Sequence, residues 1–314
     1  MSTPEKDAEA LRNAMKGIGI DKQAIIKIIA NRTNEHRQKI KLAYKAAYKR
    51  DLIDDLNDEL GGVLDKIFFS DFRNAVLALF ETPVDYDVQQ LHKAMKGLGT
   101  DEDTLIEILA TRPSKMLDQV KERYAELHKK DLEKAIESET SGYLKRLMML
   151  LLQCKRSKNT TSNNEEECLL KAKELQEESK DETKEIVFSS VLAKSSLMEL
   201  ELITSYFHKL PDKTILQDIE KEPSFSKDMK KLLITIAIAN INPSVYFATR
   251  VNKAVKGWGT NDNLLIRVLV TRDEIDMPKI KEYYKKLYGR DMLEDIKSDC
   301  SGYYRELLLE LAGH

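Results

Sequence analysis

The residues best suited to chemistry in this chain form short glycine loops that recur together with a distant acid. Met-Lys-Gly-x-Gly occurs at Met15 and Met95, and Val-Lys-Gly-Trp-Gly occurs at Val255. The first two copies are 80 residues apart, and the third follows at twice that interval. A carboxylate stands 44 positions after the start of each copy, and the three are Glu59, Glu139 and Asp299.

Such a combination could hold a hard cation. Glycines at positive φ let a loop turn several backbone carbonyl oxygens toward one point, and a carboxylate from elsewhere would complete an oxygen cage. Ca²⁺ takes about six to eight oxygen ligands, whereas zinc and copper call for His or Cys. The alternative is structural, because a capping glycine, a turn and an N-capping threonine need no ligand. The recurring acid favours calcium.

The same interval predicts a further copy at residue 175, and there the pattern has diverged. Glu177 and Ser179 stand where the glycines should be, and Ile219 stands where the acid should be. Loop and acid are therefore missing together. A shared ligand accounts for the joint loss, although general drift of one repeat could also produce it.

The elements that must position these loops repeat with the same interval. Apolar residues with the spacing of an amphipathic helix follow each loop, beginning at Ile25, Leu105 and Leu265. Other positions stay in register with them: Arg32, Arg112, Arg272, Tyr44, Tyr124, Tyr284, Asp51, Asp131, Asp291, Gly62, Gly142 and Gly302. Thr100 and Thr260 follow the second glycine of their loops and are predicted helix N-caps.

Composition agrees with an all-α repeat protein. The 314 residues include only 12 Gly and 7 Pro, and 42% of them are hydrophobic. Few helix breakers favour long helical segments. We predict four units of about five short helices each. The predicted boundaries are 8–80, 86–153, 167–241 and 245–313, with a polar linker at 154–166.

Charge and motif content exclude several function classes. A formal net charge of −2 offers no basic field for nucleic acid. Three scattered cysteines, Cys154, Cys168 and Cys300, suit a reducing compartment, so a cytoplasmic location is expected. Apolar runs fall short of the ~20 residues that span a bilayer, so membrane contact should be peripheral. The histidines form no HExxH pair and no GxSxG or P-loop occurs, so an enzyme is not expected.

The chain closely resembles the annexins over essentially its whole length. The resemblance rests on MKGIG with Glu59, MKGLGTDED with Glu139, VKGWGTND with Asp299, and the closing segments TSGYLKRLMMLLL and CSGYYRELLLELAG. It implies four five-helix repeats packed into a slightly curved disc with calcium loops on its convex face. By match, loop carbonyls and a remote carboxylate would bind Ca²⁺ at three sites: Met15, Gly17, Gly19 and Glu59; Met95, Gly97, Gly99 and Glu139; Val255, Gly257, Gly259 and Asp299.

The first site departs from this pattern in two ways. Ile20 replaces the threonine found at positions 100 and 260. The first unit also holds extra residues around GGVLDKIFF, so Asp65 or Asp71 could compete with Glu59 for the ion.

The loop tips carry apolar side chains at Ile18, Leu98 and Trp258. If a loop holds a surface cation, its tip should be exposed and should seek an apolar partner. An ion with incomplete coordination can accept oxygens of a lipid headgroup while the tip enters the membrane interface, a boundary that suits tryptophan. The alternative for Trp258 is burial in the core.

These features predict calcium-dependent binding to anionic phospholipid such as phosphatidylserine. Thr100 and Thr260 are counted with the tips as membrane-contacting loop residues. Recruitment to the inner face of membranes is expected when calcium rises, and self-association there and a cytoskeletal partner stay open. The alternative function is a helical-repeat scaffold or cytoskeleton-associated protein that acts through protein partners.

The resemblance also implies a second group of functional residues, called here the second polar set. It places these charged residues in a central channel between the two halves of the chain. Its members here are Asp87, Glu107, Arg112, Arg267, Arg272 and Asp276. Buried interdomain ion pairs that fix repeat packing are the favoured interpretation, and ion conduction is the alternative.

Overall fold

The computed structural model describes residues 2–16, 19–61, 70–153, 165–176, 183–208, 214–257 and 259–313. Twenty α-helices and no β-strand occur in these ranges. The first five helices are α1 (Pro4–Ala14), α2 (Lys22–Ile29), α3 (Asn34–Tyr48), α4 (Leu52–Glu59) and α5 (Ser70–Leu79). The next five are α6 (Pro83–Ala94), α7 (Glu102–Thr111), α8 (Ser114–His128), α9 (Leu132–Glu139) and α10 (Gly142–Gln153).

The second half of the chain repeats this order. The third set comprises α11 (Glu165–Gln176), α12 (Lys184–Lys194), α13 (Leu197–His208), α14 (Ile215–Lys221) and α15 (Lys227–Ile241). The fourth set comprises α16 (Pro243–Val255), α17 (Asp262–Arg272), α18 (Met277–Tyr288), α19 (Met292–Asp299) and α20 (Gly302–Gly313). The prediction of an all-α chain with four repeats of five helices is confirmed.

Some repeats begin earlier than their predicted boundaries. Helices α1, α6 and α16 start at Pro4, Pro83 and Pro243, a few residues before positions 8, 86 and 245. Proline is favoured in the first turn of a helix because its missing N–H has no partner there anyway. Residues 165 and 166 of the predicted linker belong to α11, and the other linker residues lie outside the described ranges.

The helices form two compact units. Unit 1 comprises Met1–Tyr86 and Phe247–His314, and unit 2 comprises Asp87–Tyr246. Unit 1 therefore contains most of the first and fourth repeats, and unit 2 contains most of the second and third. Along the described ranges, no helix combines the length and apolar character that crossing a membrane requires.

The predicted apolar face of the second helix in each repeat is buried. Ile25, Leu105 and Leu265 are each 0% exposed. In unit 1 the core around Ile25 also contains Phe72 of α5 and Leu307 of α20. The amphipathic spacing thus identifies the packing face correctly.

The recurring aspartates and tyrosines have structural roles. Asp51, Asp131 and Asp291 are the N-caps of α4, α9 and α19, which explains why aspartate recurs in register. Tyr44 donates a hydrogen bond to Asp55 Oδ2 at 2.6 Å, and Tyr284 does the same to Asp295 at 2.5 Å.

The second repeat lacks the acceptor for its tyrosine, because Ala135 occupies the equivalent position. The hydroxyl of Tyr124 instead lies 3.4 Å from Nδ1 of His92, whose ring stacks on that of His128 at a centroid distance of 3.8 Å. A buried tyrosine hydroxyl needs a partner, and the first, second and fourth repeats supply one in two different ways.

Asp55 is expected to stabilise unit 1 in a pH-dependent manner. Hydrogen bonds from Arg50 and then Tyr44 hold the pKa of this carboxyl below its usual 3.8, although its burial opposes them. Because the pKa is lower in the folded state, the stabilisation is complete above about pH 4 and is lost as the pH falls through the folded value. Asp55→Ala should lower the free energy of unfolding at pH 7 by about 1.5–3 kcal/mol.

Urea unfolding from pH 7 down to pH 3 measures this effect. The gap between wild type and Asp55→Ala should shrink below pH 4. Asp58→Ala on the exposed side of α4 is the matched control and should leave stability nearly unchanged. A gap that stays constant across this range would contradict the assigned role of the carboxylate.

Candidate metal centres

The connection between the first and second helices is closed by the same backbone hydrogen bond in repeats one, two and four. One hydrogen bond closes each loop, from the N–H of the residue before the second helix to the carbonyl of the alanine three positions before the first loop glycine. The bonds join Asp21 to Ala14, Asp101 to Ala94 and Asn261 to Ala254, with N···O distances of 2.9, 2.8 and 2.8 Å. The three loops are therefore closed in the same way.

The described loop glycines adopt conformations that other residues rarely reach. The φ angles of Gly97 and Gly99 are +115° and +88°, and those of Gly257 and Gly259 are +146° and +87°. Gly19 of the first loop has φ +93°. A Cβ added at any of them would meet no atom within 4 Å, so conformation and not space requires glycine.

The remote carboxylates lie against the loops of the second and fourth repeats. Thr100 Oγ1 donates to Glu139 Oε2 at 2.8 Å, and Thr260 Oγ1 donates to Asp299 Oδ2 at 2.6 Å. Glu139 and Asp299 end α9 and α19, so the last turn of the fourth helix delivers the acid to the loop. The shorter side chain of Asp299 reaches its threonine as well as Glu139 does.

The prediction that Thr100 and Thr260 cap helices is wrong by one position. The N-caps of α7 and α17 are Asp101 and Asn261, whose side chains accept from backbone N–H groups at 3.1 Å. The threonine hydroxyls are free for another role because the following residue already caps the helix. They bind and orient the remote carboxylates.

The first loop lacks this connection. Ile20 has no hydroxyl and packs against the core, while Glu59 is exposed at the end of α4. Gly17, Ile18 and the stretch 62–69, which includes Asp65, lie outside the described residues. The loop keeps its backbone closure but has no group equivalent to the threonine.

Asp71 has neighbours in the fourth repeat. Burial and the charge of Asp71 both raise the pKa of Asp262, which begins α17. Burial chiefly raises the pKa of Cys300, to about 12, and the charges of Asp262 and Asp299 add to this effect. The surroundings of the fourth loop are thus electronegative, and a bound cation would relieve the repulsion among these carboxylates.

The third repeat offers no acid at the equivalent place. Ile219 lies in α14 and is fully buried. Glu177 and Ser179 lie outside the described residues. The third repeat therefore has a buried core residue at the position that Glu139 occupies in the second repeat.

Leu98, at the tip of the second loop, is exposed as expected. Leu98 is 109% exposed, so its side chain makes almost no contact with the protein. Ile18 and Trp258 lie outside the described residues, so their expected exposure stays a prediction.

The second polar set includes two ion pairs that lie inside single repeats. Arg112 binds Asp87 through two hydrogen bonds of 2.7 and 2.8 Å, and Arg272 binds Asp276 at 2.8 Å. Glu107 is fully buried. Arg267 is also buried, and the roles of this set in a channel or between domains stay predictions.

Repeat alignment also reveals an acid that the sequence analysis overlooked. Asp7 stands 80 residues before Asp87 and binds Arg32 at 2.7 Å, as Asp87 binds Arg112. The fourth repeat has Phe247 at this position, and the guanidinium of Arg272 lies 4.4 Å from the centre of its ring. The 80-residue interval between Asp7 and Asp87 could have identified this acid from the sequence.

The donor set of the loops fits an oxygen-preferring cation. Across the described ranges, no group of three or more His, Cys, Asp or Glu side chains is placed to hold a metal. A site there must therefore use backbone carbonyls with one carboxylate, which the second and fourth loops can supply. Hard cations such as Ca²⁺ accept this donor set.

Gly99→Ala should weaken cation binding at the second loop. A side chain at φ +88° costs about 1–2 kcal/mol, so the loop would relax and its carbonyls would lose their common direction. Calcium affinity at this loop is expected to fall about tenfold, since 1.4 kcal/mol corresponds to that factor. Isothermal titration with Ca²⁺ measures it, with Gly313→Ala as the control because a Cβ there also meets nothing. Equal affinities in the two variants would contradict the role of the glycine.

The segments that match a known family are the repeats that contain the glycine loops. The annexin family model matches residues 6–70, 86–151 and 246–311, the segments that contain the three glycine loops. Human annexin A11 is 38% identical over 99% of this chain, and the chain spans 60% of the length of that protein. Human annexin A4 is 39% identical, with 98% of this chain and 94% of annexin A4 covered.

Solved structures agree with these matches. Annexin III superimposes with a TM-score of 0.91 at 35% identity, with 100% of this chain and 94% of that chain covered. A calcium-bound annexin (Sm)1 gives a TM-score of 0.87 at 31% identity, with 99% and 90% covered. The family model matches the first, second and fourth repeats, and the relatives align over 98–99% of this chain, so the chain belongs to the annexin family.

Proposed function

We propose that this protein binds anionic phospholipid membranes in a calcium-dependent manner through the loops of its second and fourth repeats. The observation that carries the proposal is the hydrogen bond from each loop threonine to its remote carboxylate, Thr100 to Glu139 and Thr260 to Asp299. It places an acid beside a glycine loop in both repeats. One of the structural neighbours, annexin (Sm)1, is described as calcium-bound.

In this proposal each loop supplies carbonyl oxygens and the fourth helix supplies the acid. The carbonyls of Met95, Gly97 and Gly99 would act with Glu139 in the second repeat. Those of Val255, Gly257 and Gly259 would act with Asp299 in the fourth. Bound Ca²⁺ would supply positive charge and free coordination positions for lipid oxygens.

The chain's own residues prepare these sites in three ways. The threonines hold the carboxylates in one orientation, which lowers the cost of ordering them when an ion binds. The glycines fix the loop backbone at positive φ. Leu98 projects from the second loop without protein contacts, so a membrane interface can take up its apolar surface.

The first site should contribute less than the other two. Its acid, Glu59, has no threonine to orient it, because Ile20 occupies that position. Two sites that engage the same membrane would still reinforce each other through effective concentration. Attachment should therefore depend steeply on calcium.

The proposal describes a non-enzymatic peripheral membrane protein of the cytoplasm that is recruited to the inner face of membranes. Self-association on the bilayer and a cytoskeletal partner are compatible with it. The alternative is a helical scaffold that acts through protein partners and does not need calcium.

Sedimentation with vesicles of phosphatidylserine and phosphatidylcholine, in calcium and in chelator, tests the proposal. Pelleting should require both calcium and phosphatidylserine, and Leu98→Ser should weaken it without changing calcium binding in solution. Leu127→Ser is a matched control, since Leu127 is an exposed leucine on α8, away from the loops. Pelleting that persists in chelator would overturn calcium bridging and favour the scaffold.

A further inference from the structure

The first turns of α10 expose an aromatic ring and a guanidinium close to the second glycine loop. Tyr143 is 39% exposed, and Arg146 is exposed as well. The guanidinium carbon of Arg146 lies 5.9 Å from the centre of the Tyr143 ring, so the two side chains form a cation–π pair. Among the described residues, no carboxylate pairs with Arg146, whereas the neighbouring Lys145 binds Glu137 at 3.5 Å. The N–H donors of Arg146 are therefore available to an anion outside the protein.

The Tyr143–Arg146 pair lies at the same end of the second repeat as the loop. Thr100 of the loop donates to Glu139, the last residue of α9, so the end of α9 lies against the loop. The chain then enters α10, and the four residues from Glu139 to Tyr143 span at most about 14 Å. Leu98, whose side chain makes almost no contact with the protein, lies two positions before Thr100. The exposed pair is thus close to both the remote acid and the apolar tip.

The fourth repeat uses the equivalent positions for packing. Tyr303 stands 160 residues after Tyr143 and is partly buried, with its ring centre 6.2 Å from that of Phe72 in the first repeat. Glu306 stands at the position of Arg146 and accepts a hydrogen bond from a glutamine of α2 at 3.5 Å. In the second repeat both positions are exposed and the charge is reversed, so packing of the repeat does not account for the pair.

The chemistry of the pair suits a phospholipid headgroup. A guanidinium binds phosphate oxygens through parallel N–H bonds, and the aromatic ring beneath it limits its motion. Tyrosine has an apolar body and a polar tip, which favours the boundary between headgroups and acyl chains. We propose that Tyr143 and Arg146 form a second membrane contact in repeat two, in which Arg146 binds the phosphate of a phospholipid next to the one that calcium holds. This inference rests on the proposed binding of phospholipid by the second loop.

A membrane suits this surface better than an acidic segment of another protein. Either partner could supply oxygens to Arg146, but Leu98 and Tyr143 also expose two apolar groups in the same repeat. A lipid interface can cover both of them while its headgroups bind the guanidinium. The contact therefore extends the interface of the second loop.

Pelleting with vesicles of phosphatidylserine and phosphatidylcholine at a fixed calcium concentration tests the role of Arg146. Arg146→Gln should lower the vesicle partition coefficient about fivefold, the usual contribution of one basic residue near an anionic lipid surface. Arg123→Gln is the matched control and should bind like wild type, since Arg123 is a 40% exposed arginine on α8 that pairs with Glu126. Calcium binding without lipid should be equal in all three proteins. Equal partition of the two variants would overturn the role of Arg146.

Fluorescence quenching locates Tyr143 relative to the bilayer. In a Trp258→Phe background, Tyr143→Trp should be quenched by brominated phosphatidylserine when calcium is added. Tyr283→Trp is the control and should stay unquenched, since Tyr283 forms a similar cation–π pair with Lys286 at 5.2 Å on α18. Absence of quenching, or equal quenching of both variants, in protein that pellets with vesicles would overturn this contact alone. Failure of wild type to pellet at any calcium concentration would overturn the proposed function as well.

Discussion

Replacing Glu139 by Gln and Asp299 by Asn in one chain is expected to abolish calcium-dependent pelleting with phosphatidylserine vesicles at micromolar calcium. Changes in groups that only orient a metal ligand already cost about 10–100-fold in affinity. Loss of a ligating charge should cost at least as much at each site. Because two sites act together on one vesicle, the effect on membrane binding should exceed that of either single variant.

The substitutions remove charge while keeping shape. An amide oxygen can still accept the hydrogen bond from Thr100 or Thr260, so the contact between loop and fourth helix should persist. A pelleting assay over a range of calcium concentrations gives the midpoint for each variant. Any shift then reports the lost carboxylate and not a displaced loop.

The matched control removes the charge of two nearby acids by substitution with the amide. Glu137→Gln and Glu294→Gln lie on α9 and α19, and their side chains are 58% and 71% exposed. They should leave the calcium midpoint unchanged. If the control pair and the site pair lose binding equally, general surface charge and not the two carboxylates would account for attachment.

The sequence predicted the parts of these sites that depend on local pattern. The repeat interval linked Glu139 and Asp299 to their loops, and glycine permits positive φ in a turn whatever the surrounding fold. The hydrogen bond from Thr100 to Glu139 spans 39 positions, and its existence depends on how α9 packs beside the loop. Spacing alone could not show this contact.

The errors at Thr100 and Thr260 have a physical origin. Threonine and aspartate are both good N-caps, so the sequence TD or TN leaves the choice between neighbouring residues open. Asp101 and Asn261 are the caps, whereas the threonine hydroxyls donate to the remote acids, a contact that the local sequence does not show. The local sequence therefore leaves this assignment open.

The third repeat shows another limit. Glu185 was recognisable as a departure from the repeat, because leucine stands at the equivalent positions 105 and 265. Its burial was not, since burial depends on how the surrounding helices pack against α12. The packing thus decides which departures from the repeat lie in the interior and which lie at the surface.

Asp87→Asn is expected to destabilise unit 2 by about 3–5 kcal/mol, the usual cost of removing one partner from a buried ion pair. Asp87 and Arg112 have side chains only 0% and 5% exposed, and they share two short hydrogen bonds. Burial lowers the pKa of Arg112, but the neighbouring Asp87 carboxylate outweighs it and raises that pKa. The guanidinium therefore stays charged, and without Asp87 that charge would be buried without its carboxylate.

The double variant Asp87→Leu with Arg112→Leu distinguishes two effects. One is the loss of the attraction between the two side chains, and the other is the cost of leaving one charge buried alone. Removing both charges leaves neither member of this pair buried without the other, so the double variant should destabilise less than Asp87→Asn alone. The third repeat already has Leu192 at the position of the arginine. Urea unfolding gives the stability, and hydrogen exchange in α6 and α7 places the change in unit 2. Glu35→Gln, which breaks the exposed pair with Lys39, should have little effect. A double variant less stable than the single one would mean that the pair itself, and not the avoidance of an uncompensated charge, holds these helices together.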